Sequence, residues 1–282
     1  MLDKAKLKKD LAELFRSCKK NMITADIALP GCTGLVMYEE PLIGVSSAAD
    51  EIYTVFKKKE VIGDDFMLPG EWLPEAESIV SFFFPFTERV RRSNRGDPDE
   101  TSSEWLHARV EGQEFITEFT NKLQEYFETL GIKTCVPATD KRFVEKHAPL
   151  PESDPKGEQI TSNWSERHVA YASGLGTFCL TRGLISAKGV AGRYASIIIS
   201  DYLEPDERPY KGVYEYCIMC GACIKRCPVH AISLEGGKNQ LLCKELLARG
   251  RAGKYAPRYG CGKCQVGVPC EDRIPNSAFR KA

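Results

Sequence analysis

Cys217-Ile218-Met219-Cys220-Gly221-Ala222-Cys223-Ile224-Lys225-Arg226-Cys227-Pro228 is the densest run of cysteines in this chain. Its spacing is C-x2-C-x2-C-x3-C-P. Three thiolates placed three residues apart can surround one metal centre from a tight loop, and the small Gly221 and Ala222 let the backbone approach that centre. The longer last step and the proline turn the fourth sulfur away. The run is therefore expected to need a fourth ligand from elsewhere and to give one ligand to a second site.

Four later cysteines complete two sets of four thiolates. We expect one [4Fe-4S] cluster on Cys217, Cys220, Cys223 and Cys270, and a second on Cys227, Cys243, Cys261 and Cys264. The spacing is typical of bacterial ferredoxins, in which the fourth cysteine of the run ligates the other cluster. Two structural zinc sites are the alternative, although such sites usually take two separated C-x2-C pairs. A disulfide framework is weaker, because nothing marks the chain as secreted.

Composition and charge limit the class of protein. The chain has 282 residues, of which 43% are hydrophobic, so it has enough apolar side chains for a folded core. Its formal net charge is zero, but residues 206–282 hold 14 Lys and Arg against 7 Asp and Glu. Cluster thiolates and sulfides are negative, so this basic excess compensates them locally. A surface for tRNA or an acidic partner is the sharper interpretation.

The first 22 residues are typical of a helix, not of a signal peptide. No apolar run reaches the roughly 18 to 20 residues of a membrane span. Twelve cysteines without an export signal indicate a reducing compartment. We therefore expect a cytoplasmic protein with no membrane contact.

The periodicity of apolar residues predicts alternating helices and strands. Helices are expected over 2–18, 104–130 and 164–173, and strands over 23–29, 78–86 and 194–200. Residues 89–103 and 140–162 are expected to be loops. Together these elements indicate an α/β (α+β) sheet domain over residues 1–204, followed by a ferredoxin-like module with two [4Fe-4S] clusters over residues 205–282.

Several short motifs precede the cysteine run in a fixed order: Glu166-Arg167, Gly174-Leu175-Gly176, Ile185, Ala191, Arg193 and Ile199-Ser200-Asp201. Joined to the eight cysteines, they resemble the epoxyqueuosine reductase and reductive dehalogenase superfamily. The resemblance covers residues 160–272, whereas residues 1–159 share only the order of elements. It implies a nitroreductase-like mixed-sheet domain that holds a base-off corrinoid (cobalamin), and two clusters in line that deliver electrons to cobalt.

The resemblance also implies an oxygen-sensitive reductase that removes oxygen or halogen from a small molecule or a modified tRNA nucleoside. An external low-potential donor of the ferredoxin or flavodoxin type is the expected electron source. Trp164, Arg167, Gly174 and Gly176 are the expected corrinoid contacts, and Arg167 and His168 are the candidate catalytic residues. For Trp164, core packing is the alternative. For His168, it is a position on the helix surface.

The chain departs from the family pattern at two places. The position of the family's aspartate, which looks like a proton donor, is Ile160 in this chain, and an isoleucine cannot donate a proton. Five residues, more than is usual, separate Cys264 from Cys270, so a bulge at Gly267 is expected.

Because of these departures, an electron-transfer protein without a corrinoid, or a reductive activator of a partner's corrinoid, stays an alternative. Four cysteines remain outside the clusters. They are expected to be buried, unreactive thiols: Cys18, Cys32, Cys135 and Cys179.

Overall fold

The computed structural model of the chain describes residues 2–149 and 158–276. The helices of these residues are α1 (Lys4–Ser17), α2 (Ile52–Phe56), α3 (Pro69–Trp72), α4 (Glu88–Ser93), α5 (Ser103–Thr129), α6 (Glu166–Ala172), α7 (Ala222–Lys225) and α8 (Gln240–Arg251). The strands are β1 (Leu42–Ser47), β2 (Ser78–Pro85), β3 (Thr134–Cys135), β4 (Glu145–Pro149), β5 (Glu158–Ser162), β6 (Gly176–Phe178), β7 (Leu184–Ser186), β8 (Gly192–Ile199), β9 (Ile232–Ser233) and β10 (Gly237–Lys238).

The main sheet has four antiparallel strands in the order β1-β2-β8-β3. Every residue of β2 is buried, as its nearly continuous apolar sequence predicts for a central strand. The hairpins β4–β5, β6–β7 and β9–β10 form separate two-stranded sheets. The mixed α/β class predicted from the sequence is confirmed, with the detail that the strands of the main sheet are all antiparallel.

Both faces of the sheet are covered by helices. Phe82 and Phe84 of β2 pack against α1 and α5 in the largest apolar cluster. Ile79, on the opposite face, packs against Trp164 and against Val169 of α6. Since burying a large apolar side chain contributes about 1.5–3 kcal/mol, these two layers supply most of the stability of the sheet domain.

The two long helices of the sheet domain begin and end where local signals place them. The side chain of Asp3 accepts hydrogen bonds from the first turn of α1, and that of Ser102 accepts one from Trp105 N–H in α5. Helix α5 ends just before Gly131, which adopts a left-handed conformation with φ of 72°. The predicted helices over 2–18 and 104–130 are confirmed.

The segment after β8 leads to the cysteine module along the edge of β1. Asp206 N–H donates to Val45 O at 2.8 Å, and Val45 N–H donates to the Asp206 carboxylate at 2.9 Å. The module itself contains α7, the β9–β10 hairpin and α8. Its small apolar cluster joins Leu180 to Cys227, Ala231 and Ile232.

Two predictions of local structure are wrong. Residues 23–29, predicted as a strand, form a turn in which Ile27 N–H donates to Thr24 O. Residues 89–103, predicted as a loop, include most of α4, and Asn94 is fully buried because it binds the cysteine module. The predicted loop over 140–162 contains the β4–β5 hairpin, and residues 150–157 lie outside the described residues. No helix in the described part of the chain has the length and apolar character needed to cross a membrane.

Candidate functional site

Four cysteines of the first predicted set line one small cavity, which we call the first cysteine cavity. They are Cys217, Cys220, Cys223 and Cys270. Three of them come from the loop that leads into α7, where Gly221 takes a left-handed conformation with φ of 71°. The fourth is brought in by the C-terminal segment, because Val190 N–H donates to Cys270 O at 2.9 Å.

The C-terminal segment turns at Gly267, where φ is 65°, in the longer loop that separates Cys264 from Cys270. The Gly267 N–H donates to the carboxylate of Glu271 at 2.6 Å. Glu271 is only 4% exposed and accepts three hydrogen bonds from the Arg95 guanidinium, the shortest at 2.7 Å. An ion pair with the sheet domain therefore fixes the loop that carries Cys270.

The second predicted set lines a larger cavity of about 430 Å³, which we call the second cysteine cavity. Its sulfur-bearing residues are Cys227, Cys243, Cys261 and Cys264. The loop with Cys261 and Cys264 lies directly on Trp105 of α5. A Cβ atom at Gly262 would lie 1.9 Å from the Trp105 ring, so only glycine allows this contact.

Burial and neighbouring thiols raise the pKa values of Cys223 and Cys270 in the first cavity and of Cys261 and Cys264 in the second. Burial, then Cys264, Cys243 and Cys227, raise the pKa of Cys261 to about 11. The pKa of Cys270 is raised well above its usual range by burial and by other thiols of the first cavity. Because metal ligands must be deprotonated, metal binding at either set would release protons.

Two lysines next to the second set carry positive charge into this region. Burial opposes the charge of Lys238, but Cys264 and Cys243 outweigh it, so that its pKa lies above the ordinary value. Lys263 is 2% exposed, and its ammonium donates to Asn94 O at 3.1 Å and to Asn94 Oδ1 at 3.2 Å. Two cations so near the thiols favour negative charge on that set.

All twelve cysteines are free of disulfide bonds. No three His, Cys, Asp or Glu side chains of the residues described are grouped so as to hold a single metal ion. Cys18, Cys32 and Cys135 are buried in the sheet domain, as predicted. Cys179 is also buried, but it lies in the first cysteine cavity as a fifth thiol, which the sequence reasoning missed. No spacing pattern links Cys179 to the cysteine run, so only the fold brings it there.

The second cysteine cavity extends into the sheet domain, where Glu166, Arg167 and Tyr194 line it. A third cavity of about 750 Å³ lies beside it and is lined by Ile160 and His168. Arg167 lines both cavities. Desolvation by the surrounding protein lowers the pKa of its guanidinium, although part of the side chain is exposed in the cavities.

His168 and Glu166 of α6 both have pKa values that are shifted from their ordinary values. Burial, assisted by the charge of Arg167, lowers the pKa of His168 to about 3. Its ring packs against Phe178, with the ring centroids 4.7 Å apart, and its Nδ1 lies 2.8 Å from Ser165 Oγ. At neutral pH His168 is therefore an uncharged imidazole. It has no imidazolium proton that it could donate to a substrate.

Glu166 shows the opposite shift. Burial raises the pKa of its carboxyl group to about 7, and nearby Ser196 offsets this only in part. Neither carboxylate oxygen has a hydrogen-bond partner among the described residues. Glu166 belongs to the Glu166-Arg167 motif, from which no role for its carboxyl group is predicted. In the structure it is a carboxyl group that still holds its proton near neutral pH.

Three other predicted contacts occupy different surroundings. Trp164 is 1% exposed, its ring stacks on Phe66 at 5.6 Å between centroids, and its Nε1 donates to Ser196 Oγ at 3.0 Å. Its ring is therefore occupied by core packing, although the residue borders the second cavity. Gly174 and Gly176 line neither of the two larger cavities. A Cβ atom at Gly174 would approach Glu207 O at 2.6 Å, and one at Gly176 would approach Ile185 O at 2.0 Å.

Comparison with known proteins agrees with this geometry at the level of fold. Residues 210–233 match the family of 4Fe-4S binding domains. An epoxyqueuosine reductase solved with an epoxyqueuosine-modified tRNA-Tyr stem loop is 18% identical, with a TM-score of 0.51, over 98% of this chain and 71% of its own. A reductive dehalogenase, whose structure suggests a mechanism for B12-dependent dehalogenation, is 13% identical, with a TM-score of 0.53, over 97% of this chain.

This chain spans 37% of the length of that dehalogenase. No curated protein sequence matches the chain. The predicted resemblance to the epoxyqueuosine reductase and reductive dehalogenase superfamily is confirmed as a similarity of fold, and the C-terminal region contains a 4Fe-4S binding domain.

Proposed function

We propose that the chain is an iron–sulfur reductase with two [4Fe-4S] clusters, one in each cysteine cavity. The first cluster would be held by Cys217, Cys220, Cys223 and Cys270, and the second by Cys227, Cys243, Cys261 and Cys264. The observation that carries the proposal is the division of the eight thiols between two cavities, the second of which is shared with the sheet domain. Four thiols spread around a cavity suit a cluster with several iron atoms, whereas zinc draws its ligands to one centre.

We further propose that the space between the second cysteine set and the sheet domain holds a corrinoid. The second and third cavities share four lining residues: Glu145, Ser162, Ser165 and Arg167. The two cavities are therefore adjacent, and together they have space for a large flat ligand. Ser165 and Arg167 can donate hydrogen bonds to the amides of such a ligand, whereas the Tyr194 hydroxyl already donates to Leu184 O at 2.7 Å. Iron–sulfur clusters and a corrinoid together supply low-potential electrons and a reducible cobalt for the removal of oxygen or halogen.

The chain's own residues would bind and orient the substrate and hold the proton. Arg167 faces both cavities, and its guanidinium suits a carboxylate, a phosphate or an amide carbonyl. His168 is neutral and lines the third cavity, where its ring can form a hydrogen bond with a ligand. Glu166 keeps a proton near pH 7, whereas Ile160, at the position of the family's aspartate, offers the third cavity only an apolar side chain.

The alternative function is electron transfer to a partner, or reductive activation of a partner's corrinoid, without catalysis by this chain. Ile160 favours this alternative, because it removes the proton donor expected at that place in a catalytic cavity. In either case we propose a cytoplasmic, oxygen-sensitive protein. A low-potential ferredoxin or flavodoxin would dock near the first cysteine cavity, where Met219 is 41% exposed.

One anaerobic experiment separates these functions. The protein is purified under argon, reconstituted with iron and sulfide, and titrated with cobalamin while the optical and electron paramagnetic resonance spectra are recorded. A base-off cobalamin signal, with turnover of an epoxyqueuosine-containing stem loop or a halogenated phenol, supports the enzyme. Two clusters that exchange electrons with a ferredoxin without binding cobalamin would support the carrier, and a preparation that contains zinc would refute both.

A further inference from the structure

Two arginines in the second cysteine cavity have no carboxylate partner within residues 2–149 and 158–276. Arg109 of α5 and Arg193 of β8 both line the cavity. In the described part of the chain, Arg109 forms only a 3.4 Å contact with Tyr259 Oη and a cation–π contact with the Tyr259 ring at 4.9 Å. Arg193 donates to Gln113 Oε1 at 2.6 Å, and neither arginine forms an ion pair with any residue that the structure describes.

Both arginines line one cavity, and Gln113, which lies four residues after Arg109 on α5, binds Arg193, so the two positive charges face the same space. Burial lowers the pKa of Arg109 to about 10, and the positive charge of Arg193 is the next largest cause. A buried charge is normally paired, and like charges side by side cost free energy. The thiols of the second set raise the pKa of Lys238 but are not among the main causes that act on Arg109, so an anion bound between or beside the two arginines would stabilise this arrangement.

The acidic side chains around the cavity do not compensate this charge. Glu145 and Glu166 line the same cavity, but neither contacts Arg109 or Arg193 among the described residues. Glu166 also keeps its proton up to a pH of about 7. Arg167 and Lys238, which also line the cavity, add to the positive charge.

We propose that Arg109 and Arg193 form a binding site for the phosphate group of a small ligand held in the second cysteine cavity. Two guanidinium forks match a doubly charged oxyanion in both charge and geometry. Gln113, one helical turn after Arg109, holds Arg193 in place, and Tyr259 stacks on Arg109 from the cysteine module. A cavity of about 430 Å³ between the module and the sheet does not admit an RNA stem, so the ligand is a small molecule.

This site does not depend on the corrinoid, although it would deepen that proposal if the ligand is a corrinoid with a nucleotide tail. Cobalamin carries a phosphodiester in its tail, whereas cobinamide has the same macrocycle without the phosphate. The pair therefore tests the arginines separately from the macrocycle. Inorganic phosphate and pyrophosphate test them without any corrinoid.

The experiment uses the anaerobically reconstituted protein and three variants, Arg109→Gln, Arg193→Gln and the control Arg251→Gln. Arg251 stacks on the same Tyr259 ring at 4.1 Å, but it does not line the cavity. We expect pyrophosphate, measured by titration calorimetry, to bind about tenfold more weakly to each of the first two variants and unchanged to the control. Cobalamin, whose phosphodiester carries a single negative charge, should show a smaller loss in the same two variants, and cobinamide should show none.

The melting temperature without added anion gives a second measurement. Removal of one of two repelling charges should leave it unchanged or raise it, whereas a purely structural arginine would lower it. Wild-type protein that binds no pyrophosphate, or Arg109→Gln and Arg193→Gln proteins that bind it as wild type does, would overturn the proposal. If cobalamin and cobinamide both fail to bind while pyrophosphate binding depends on the arginines, the phosphate site stands and the corrinoid proposal falls. Should a glutamine variant not fold, Arg193→Lys keeps the charge and is expected to bind with intermediate affinity.

Discussion

The sheet domain and the cysteine module differ in the types of side chain that form their cores. In the sheet domain, every residue of β2 is buried, and its phenylalanines pack against the apolar sides of α1 and α5. In the module, α8 has no fully buried residue, and the local apolar cluster contains Cys227 with Cys217, Cys223 and Cys264 packed against it. The sheet domain is thus held by apolar burial, whereas the core of the module consists largely of thiols.

This difference indicates that the two regions are stabilised by different interactions, apolar burial in one and metal binding by thiols in the other. A small unit with few buried apolar side chains usually needs disulfides or metals to remain folded. The module has no disulfide, so its stability should follow the occupancy of its thiols. The sheet domain should be largely indifferent to metal.

Removal of all iron should have the largest effect. We expect chelation of the reconstituted protein to open the module, since little apolar surface remains to hold it, while the sheet domain stays folded. Hydrogen exchange followed by mass spectrometry should show loss of protection over 217–270 and unchanged protection in β2 and β8. Equal loss in both regions would mean that the sheet also depends on the metal.

Single cysteine variants should divide the module into two sites. Cys220→Ala is expected to abolish the signal of the first cluster, and Cys261→Ala that of the second, because each removes one of four thiolates. Electron paramagnetic resonance of the reduced protein measures both signals. Cys32→Ala, a buried thiol of the sheet domain, is the matched control and should keep both. If either of the first two variants also keeps both signals, the ligand assignment is wrong.

A core substitution in the sheet should show the reverse pattern. Phe84 is fully buried and packs against Phe119, with the ring centroids 5.3 Å apart. Phe84→Ala should lower the free energy of unfolding of the sheet domain by about 3–5 kcal/mol. Denaturant unfolding followed by Trp fluorescence checks this, and the iron content per folded chain should not change. A loss of iron that precedes unfolding of the sheet would contradict the separation.

The same contrast explains which features could be predicted from the sequence. Long periodic segments such as α5, and the apolar run of β2, were predicted correctly because their own side chains determine burial. The turn at 23–29 was missed because its apolar residues do not share one environment: Ile23 is buried, whereas Ile27 is 40% exposed. The motif spacing predicted the eight cysteines that line the cavities. Cys179, Arg109 and Glu271 carry no local signal, since only tertiary contacts bring them to the site.

Glu166 allows a smaller test at the boundary of the two regions. Its pKa, raised by burial to about 7 from 4.5, means that the native state binds a proton more tightly than the unfolded state. Stability is therefore fully present below about pH 4.5 and is lost as pH rises to about 7. Glu166→Gln, which stays neutral, should remove this loss, and its stability relative to wild type should rise by at most about 3 kcal/mol between pH 4 and pH 8.

Denaturant unfolding at both pH values measures the difference, and subtraction of the two proteins cancels the titration of His168. Glu114→Gln, at an exposed position on α5, is the control and should not change with pH relative to wild type. A Glu166→Gln protein with the same pH dependence as wild type would show that the carboxyl group is ionised normally.

The smallest expected effect concerns the contact that joins the two regions at the first cysteine cavity. Glu271→Gln keeps the shape of the side chain but removes the charge that Arg95 pairs with, and Arg95 is half exposed, so the loss should be modest. We expect a cost of about 2 kcal/mol, localised to the loop that carries Cys270.

Since this loop supplies one ligand of the first set only, a chelator should remove iron from the first site faster in the variant than in wild type, while the second site should release iron at an unchanged rate. Glu245→Gln, an exposed acidic residue on α8, should release iron from both sites as wild type does. Equal acceleration at both sites in Glu271→Gln would mean that the module loosens as a single unit, and the ion pair would then connect the sheet to the whole module rather than to one cluster.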